Sequence, residues 1–358
     1  MGMLDDGGTA RVRSARELIA VSPVKERTFD QVARLLAGLS AVDERDSLRS
    51  FRRLKTWKDH SGEIDRAYSS FEARFAEPFI DWAGTNVTGH RAINAVFYPF
   101  SGPDLIFPRL LYPNAKVYVL CGLEPCAPSL VSFSVNKPLL LDSLSDLRTA
   151  MTHFFSYSFF TTKEMREHFQ HLYVPGVLLI LLTLLALSGL RVLSVKFITL
   201  GAETHSVHGL RIEFVCRGET RQLFYFQQDL RDGYFGEQSP LLDFVAGLGR
   251  FGVLLKSASF LLHESNFSNI RDLILQRCSA LVQDPSGIPY RAFDARDWQL
   301  SLHGRYTEAL AIFRHYEQPE LAKAFNAAGA QPELGFGFGY CHREHGGGLI
   351  VALPCSPS

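Results

Sequence analysis

Three stretches of this chain place side chains that could do chemistry at the ends of apolar runs. The first is Ala95 to Pro125, AVFYPFSGPDLIFPRLLYPNAKVYVLCGLEP. One apolar run, Val96–Phe97, is followed by Ser101, Gly102 and Asp104; a second, Val117–Leu120, is followed by Gly122 and Glu124. In an open α/β sheet, ligands bind outside the carboxyl ends of the strands. Ser101, Gly102, Asp104 and Glu124 are therefore candidate cofactor-binding residues, with Glu124 placed to hold a ribose. The same turn also reads as a rigid corner in which Asp104 caps the next helix.

The second stretch is Gln283–Arg291, QDPSGIPYR. Two prolines and a glycine stiffen it, and it presents Asp284, Ser286 and Arg291 together. Asp284 is a candidate base or substrate-orienting group; Ser286 and Arg291 are candidate substrate-binding residues. An Asx-type turn with Arg291 paired to Asp284 fits the same residues. The third is Lys256, inside the apolar run VLLKSAS. A lysine there must snorkel to water or find an anion, which makes it a candidate catalytic group or carboxylate partner.

Other chemistries are poorly supported. Ser286 has no local base and there is no GxSxG elbow, so a serine hydrolase is not expected. His263-Glu264 lacks the second histidine of HExxH, since Phe267 stands four residues on. Cys341, His342 and His345 crowd a Gly-rich hairpin tip, and His205 and His208 a second turn, where solvated residues are the norm. No metal site is expected. Lys163-Glu164, after an aromatic run, reads as a helix start with a functional lysine as the alternative.

Bulk properties set the frame. Lys+Arg and Asp+Glu are equal at 37 each among 358 residues, so no global field favours nucleic acid. The basic run Arg49, Arg52, Arg53, Lys55 and Lys58 is flanked by Asp43, Glu44, Asp46 and Asp59, as on a solvated helix face. The six cysteines form no CxxC pair and suit reduced thiols rather than a disulfide scaffold. The first residues show neither a signal peptide nor a myristoylation pattern, so a cytoplasmic location is expected. Leu172–Leu190 carries no charge, but Pro175-Gly176 and Ser188-Gly189 bound a helix of about a dozen residues, or roughly 20 Å. A bilayer core needs ~30 Å, so a buried core helix is expected and no membrane span.

These residues need elements to position them. Residues 1–15 read as a flexible N-terminus and 16–90 as a helical extension; residues 91–358 read as one α/β domain, a Rossmann-like mixed sheet with flanking helices. Its predicted order is strand 96–100, helix 104–112, strand 116–121, loop 125–138 and a helix capped by Asp142 or Ser143. The buried helix, strand 191–199 and a hairpin turning at Arg217-Gly218-Glu219 follow. Then come helix 239–247, strand 252–259, helix 267–278, the loop with Asp284, strand 298–303 and helix 307–326. The strand pair LGFGFGY and GLIVALP closes the chain.

Two resemblances follow from these residues. Tyr98–Asp104, Tyr112–Ala115, Gly122–Pro125, Thr162–Met165, Leu255–Ala258, Gln283–Arg291 and Gly304–Tyr306 resemble the motifs of an uncharacterised bacterial family, over residues 95–345. Some members of that family look exported, which implies a differently assigned start for this chain as the alternative to a cytoplasmic location. The strand–helix–strand core resembles that of class I S-adenosylmethionine-dependent methyltransferases, which implies S-adenosylmethionine as the cofactor. The first turn departs from their pattern, having only Gly102 where several glycines are usual. Two functions fit: an enzyme whose small-molecule ligand lies among Asp104, Glu124, Lys256, Asp284 and Arg291, or a non-catalytic, envelope-associated binding protein on a degenerate scaffold.

Overall fold

The computed structural model describes residues 15–17, 27–42, 46–87, 89, 92–126, 137–160, 175–202, 206–235, 239–329, 331–341 and 347–355. The strands are β1 (Ala15–Glu17), β2 (Ala95–Tyr98), β3 (Val117–Gly122), β4 (Arg191–Leu200) and β5 (Val207–Cys216). They continue with β6 (Glu219–Gln227), β7 (Phe251–Leu255), β8 (Cys278–Gln283), β9 (Trp298–Gly304) and β10 (Gly348–Pro354). They form one sheet in the order β1-β4-β5-β6-β3-β2-β7-β8-β10-β9. The middle strands β6, β3, β2, β7 and β8 are mutually parallel, and the pairings outside them are antiparallel.

Burial follows from this arrangement. A parallel strand covered on both faces reads as an unbroken apolar run. In β2 and β7 every residue is buried. Alternate residues serve opposite faces: Val96 and Tyr98 join one core, Ala95 and Phe97 the other. The first core also takes in helices α1 (Arg27–Leu36), α2 (Lys55–Phe71), α3 (Glu77–Asn86), α4 (Ile106–Leu111), α5 (Lys137–Tyr157) and α6 (Gly176–Leu187). After the four-residue α7 (Asp232–Phe235) come α8 (Pro240–Ala246) and α9 (Ser268–Arg277), which serve the second core. The last helix is α10 (Pro319–Ala327). The N-terminal helices thus share a core with the sheet, and β1 extends its edge against β4.

The apolar helix is bounded as expected. Pro175 precedes α6, Ser188 follows it, and Gly189 leaves the helix at φ 70°. Gly176 through Ala186 are all buried, and the helix packs on α1 and β4. Among the described residues no helix is long and apolar enough to cross a membrane. The hairpin turns at Arg217 and Gly218, both with positive φ, as a two-residue turn requires. In the basic run, Asp46 accepts from Arg52 at 2.5 Å, and Lys55 pairs with Asp59 at 2.6 Å.

Several expectations are corrected. Helix α5 begins at Lys137, so Asp142 and Ser143 lie inside it rather than at its start; Pro138 suits a first turn. Strand β8, CSALVQ, follows α9 with no glycine or proline to mark the change. The helix expected over 307–326 is a short 3-10 turn, Ala311–Tyr316, then α10, because Pro319 can stand in a first turn but not in an interior. LGFGFGY forms no strand; its end is a turn at Gly339–Cys341, with Gly339 at φ 62°. Strand β7 ends at Leu255, so Lys256 stands just beyond it rather than inside.

Leu181, fully buried within α6, tests this placement. Leu181→Ala is expected to lower stability by about 2–5 kcal/mol in urea denaturation, the usual range for such a truncation. A loss below ~1 kcal/mol would show that α6 is not core.

Candidate functional site

The chain leaves β2 for β3 on one side and later returns to β7 on the other. Connections therefore diverge between β2 and β7, and a crevice opens where they part. A cleft of about 760 Å³ lies there, lined from the carboxyl ends of β2, β3, β6 and β7. Ser101, Gly102, Asp104, Glu124 and Lys256 all line it.

The first turn is folded back onto β3. Phe100 and Gly102 take positive φ, and the N–H groups of Ser101 and Gly102 both donate to the Cys121 carbonyl, at 3.0 and 3.2 Å. Pro103 has no N–H to offer. These amides are spent on the protein, so the turn is not a phosphate cradle of the kind that glycine-rich loops provide.

Asp104 stands at the start of α4, where Phe107 N–H approaches its Oδ1 at 3.5 Å. It is 2% exposed, and Lys256 is 3% exposed. Their charged ends are 3.3 Å apart, and Tyr98 donates to the same carboxylate at 3.2 Å. The ammonium also donates to the Ser158 carbonyl and sits 3.6 Å from the centre of the Phe107 ring. Burial pushes the Asp104 carboxyl up to about 6 and the Lys256 ammonium down, and their pairing opposes both shifts. The pair joins the turn after β2 to the end of β7. Asp104 thus only approaches the first turn of α4, and its main partner is Lys256.

Glu124 is buried, and Tyr225 on β6 donates to its Oε2 at 3.0 Å and to its carbonyl at 3.1 Å. Beneath it Gly102 and Gly122 pass close together. A Cβ on Gly122 would meet the Tyr225 hydroxyl at 2.7 Å and the Gly102 Cα at 2.9 Å. Glycine is required there by the close approach, and it leaves bare backbone under the carboxylate.

Asp284 is near the cleft but does not line it. One carboxylate oxygen accepts from Ser257 N–H at 3.0 Å; the other accepts from Ser286 N–H at 3.0 Å and its hydroxyl at 2.5 Å. The Ser286 hydroxyl takes Ala258 N–H at 2.9 Å, and the Gln283 amide holds both ends of Ile288. Burial raises the Asp284 pKa, while these bonds pull it down. Asp284 and Ser286 therefore brace the turn after β7: they are positioning residues with their oxygens in use. Arg291 is exposed on the turn Tyr290–Ala292, outside the cleft lining, and makes no ion pair with Asp284 among the described residues. The Asx turn at Asp284 is present; the Arg291 pairing is not.

Residues that the sequence did not single out complete the lining. Gln228 and Asp229 follow β6, with Asp229 held by Arg231 at 2.6 Å. Phe159, Phe313 and Tyr340 come from segments distant in sequence. The position of Gln228-Asp229 just after an apolar strand was a usable signal; the aromatic residues offered none. Lys163, Glu164, His205, His342 and His345 lie outside the described residues.

Removing one member of a buried ion pair strands the other. Asp104→Ala is expected to lower stability by about 3–5 kcal/mol, and adding Lys256→Met should recover most of that loss. Urea denaturation of the single and double variants reads both. Additive losses would contradict the coupling.

Searches against protein-family models, curated proteins and solved structures give no match for this chain.

Proposed function

We propose that the cleft binds a nucleoside cofactor of the S-adenosylmethionine type, on a methyltransferase-like Rossmann core. The observation that carries this reading is Glu124 above the Gly102–Gly122 contact at the switch point. Glu124 follows Gly102 by 22 residues and closes the second parallel strand, where an acidic side chain accepts the hydroxyls of a ribose. Tyr225 fixes the carboxylate's direction, so it is oriented before any ligand arrives.

Strand order supports the reading. With only the mutually parallel strands numbered along the chain, β6-β3-β2-β7-β8 run 3-2-1-4-5, as in open nucleotide-binding sheets. The last strand, β10, is antiparallel and inserted between β8 and β9, so the parallel set is extended on that side by an antiparallel edge.

Electrostatics select within nucleoside ligands. A dinucleotide would bring its pyrophosphate to the start of α4, but the turn's amides are spent and the Asp104 carboxylate occupies that end. Four carboxylates, Asp104, Glu124, Asp229 and Glu264, line the cleft against Lys256 and Arg231. That excess, with the aromatic rings of Phe100, Phe159 and Phe267 nearby, favours a ligand that carries positive charge and no phosphate. When bound, S-adenosylmethionine would supply an electrophilic methyl group; the residues described here bind and orient it.

Calorimetric titration tests this. S-adenosylmethionine and S-adenosylhomocysteine are expected to bind with dissociation constants in the micromolar range, and NAD at least about tenfold more weakly. Glu124→Ala should weaken the first two by about tenfold or more. Absence of binding by both to the folded chain would sink the proposal.

A further inference from the structure

The cleft runs along the sheet from β6 to β7, and its two ends differ. At the β3 and β6 end lie Glu124, Gln228 and the paired glycines. At the β7 end the wall is aromatic. The Tyr340 ring centre lies 5.4 Å from that of Phe313 and 6.1 Å from that of Phe159, and the Tyr340 hydroxyl is taken up by Ser259 at 2.7 Å. Small-molecule sites begin at roughly 300 Å³. A cleft of about 760 Å³ has room for more than one such ligand.

Glu264 also lines the cleft, between two 3-10 turns, Leu261–His263 and Ser265–Phe267. It is tied to the aromatic end. The Tyr316 hydroxyl donates to its Oε1, Tyr316 stacks on Phe260 with ring centres 5.3 Å apart, and Phe260 lies 5.2 Å from Phe313. Its charge has no counterpart. Among the described residues no basic side chain pairs with the Glu264 carboxylate, whereas Asp104 has Lys256 at 3.3 Å and Asp229 has Arg231 at 2.6 Å. Arg271 turns to the carbonyls of Leu262 and Glu264 instead, at 3.0 and 3.4 Å. His263 is uncharged near neutral pH, since burial pulls its pKa down to about 4. Among the described residues Oε2 accepts no hydrogen bond, and it is not cut off from solvent. A half-buried carboxylate with one accessible, unpaired oxygen, set beside aromatic rings, attracts an organic cation twice over: by charge-assisted hydrogen bonding and by the rings' negative faces.

We infer that the β7 end of the cleft is a second subsite, for an organic ammonium ion with an apolar, ring-sized body, an arylalkylamine-type compound, whose ammonium group meets Glu264 and whose body lies against Phe159, Phe313 and Tyr340. The inference stands on these residues and not on the nucleoside reading, whose residues are at the other end. A neutral molecule of the same shape keeps the aromatic contacts and loses the ion pair; an anion is repelled by Glu264. Tyr316 is a positioning residue, because its hydroxyl fixes one carboxylate oxygen and leaves the other for the ligand.

The test uses the full chain and two probes of one shape, 2-phenylethylamine, which is protonated near neutral pH, and 2-phenylethanol, followed by ligand-observed NMR titration. Wild type is expected to prefer the amine by about tenfold, roughly the worth of one charge-assisted hydrogen bond at a half-buried site. Glu264→Gln keeps an oxygen for the Tyr316 hydroxyl and removes only the charge. It should bring the two affinities within about threefold of each other and leave that of the alcohol unchanged, which also shows that the variant is folded. Phe313→Ala should weaken both probes together. Equal binding of the probes to wild type, binding of neither, or a tenfold preference that survives Glu264→Gln would overturn the inference. Repeating the amine titration with saturating S-adenosylhomocysteine separates this result from the nucleoside proposal. Unchanged amine affinity is expected; competition between the two would contradict a second subsite, and a chain that takes the amine but not S-adenosylhomocysteine would sink the nucleoside proposal alone.

Discussion

Lys256 and Asp104 meet 3.3 Å apart across the seam between β2 and β7, and both are cut off from water. Each alone would carry a large desolvation penalty, so each depends on the other. The consequence is geometric. Asp104 lies in the turn just ahead of α4, and Lys256 is the first residue beyond β7, so their contact fixes the distance between the two sides of the crevice. The Phe107 ring and the Ser158 carbonyl complete the surroundings of the ammonium, which brings the end of α5 to the same point. The seam where the sheet's connections part would otherwise be its least braced line.

Around that seam the backbone is unusually constrained. Six non-glycine residues have positive φ among those described, and five of them, Phe100, Ser158, Ser257, Ser259 and Phe260, line the cleft or adjoin its lining. Only Arg217 belongs elsewhere, in a hairpin turn. The means of enforcement are visible: Asp284 and Ser286 hold the amides of Ser257 and Ala258, and the Ser286 carbonyl takes Phe260 N–H. Gly339 closes over Asp284, where the carboxylate would collide with a Cβ. The loop from β8 thus acts as a brace for the turn after β7. A rigid surface prepared in this way loses little conformational freedom when a ligand binds.

Local signals were legible in the sequence, and tertiary ones were not. The strand–turn–helix–strand at Ala95–Gly122, the twelve-residue helix α6 and the Arg217-Gly218 hairpin each carry their own punctuation. Lys256 was visible as a charge in an apolar run, because such a residue must have a partner; that the partner is Asp104 depends on β2 lying beside β7. The stiffness of Asp284–Arg291 was readable from its prolines. Its role was not, since it is decided by the register that sets Leu255 beside Gln283 and brings Asp284 under Ser257. Arg291 is carried outward by the turn at Tyr290, a direction that no local pattern announces. Strand β8 was hidden by the absence of any break after α9, and Tyr340 and Phe313 reach the cleft only through the fold.

The central claim is that one end of this cleft is shaped for a nucleoside without phosphate. A crystal structure of the chain grown with saturating S-adenosylhomocysteine tests it most directly. The expected result is ligand density over Gly102 and Gly122, with the ribose hydroxyls on the Glu124 carboxylate and the Asp104–Lys256 pair intact. An empty cleft, or a nucleoside bound anywhere else on the molecule, would contradict it.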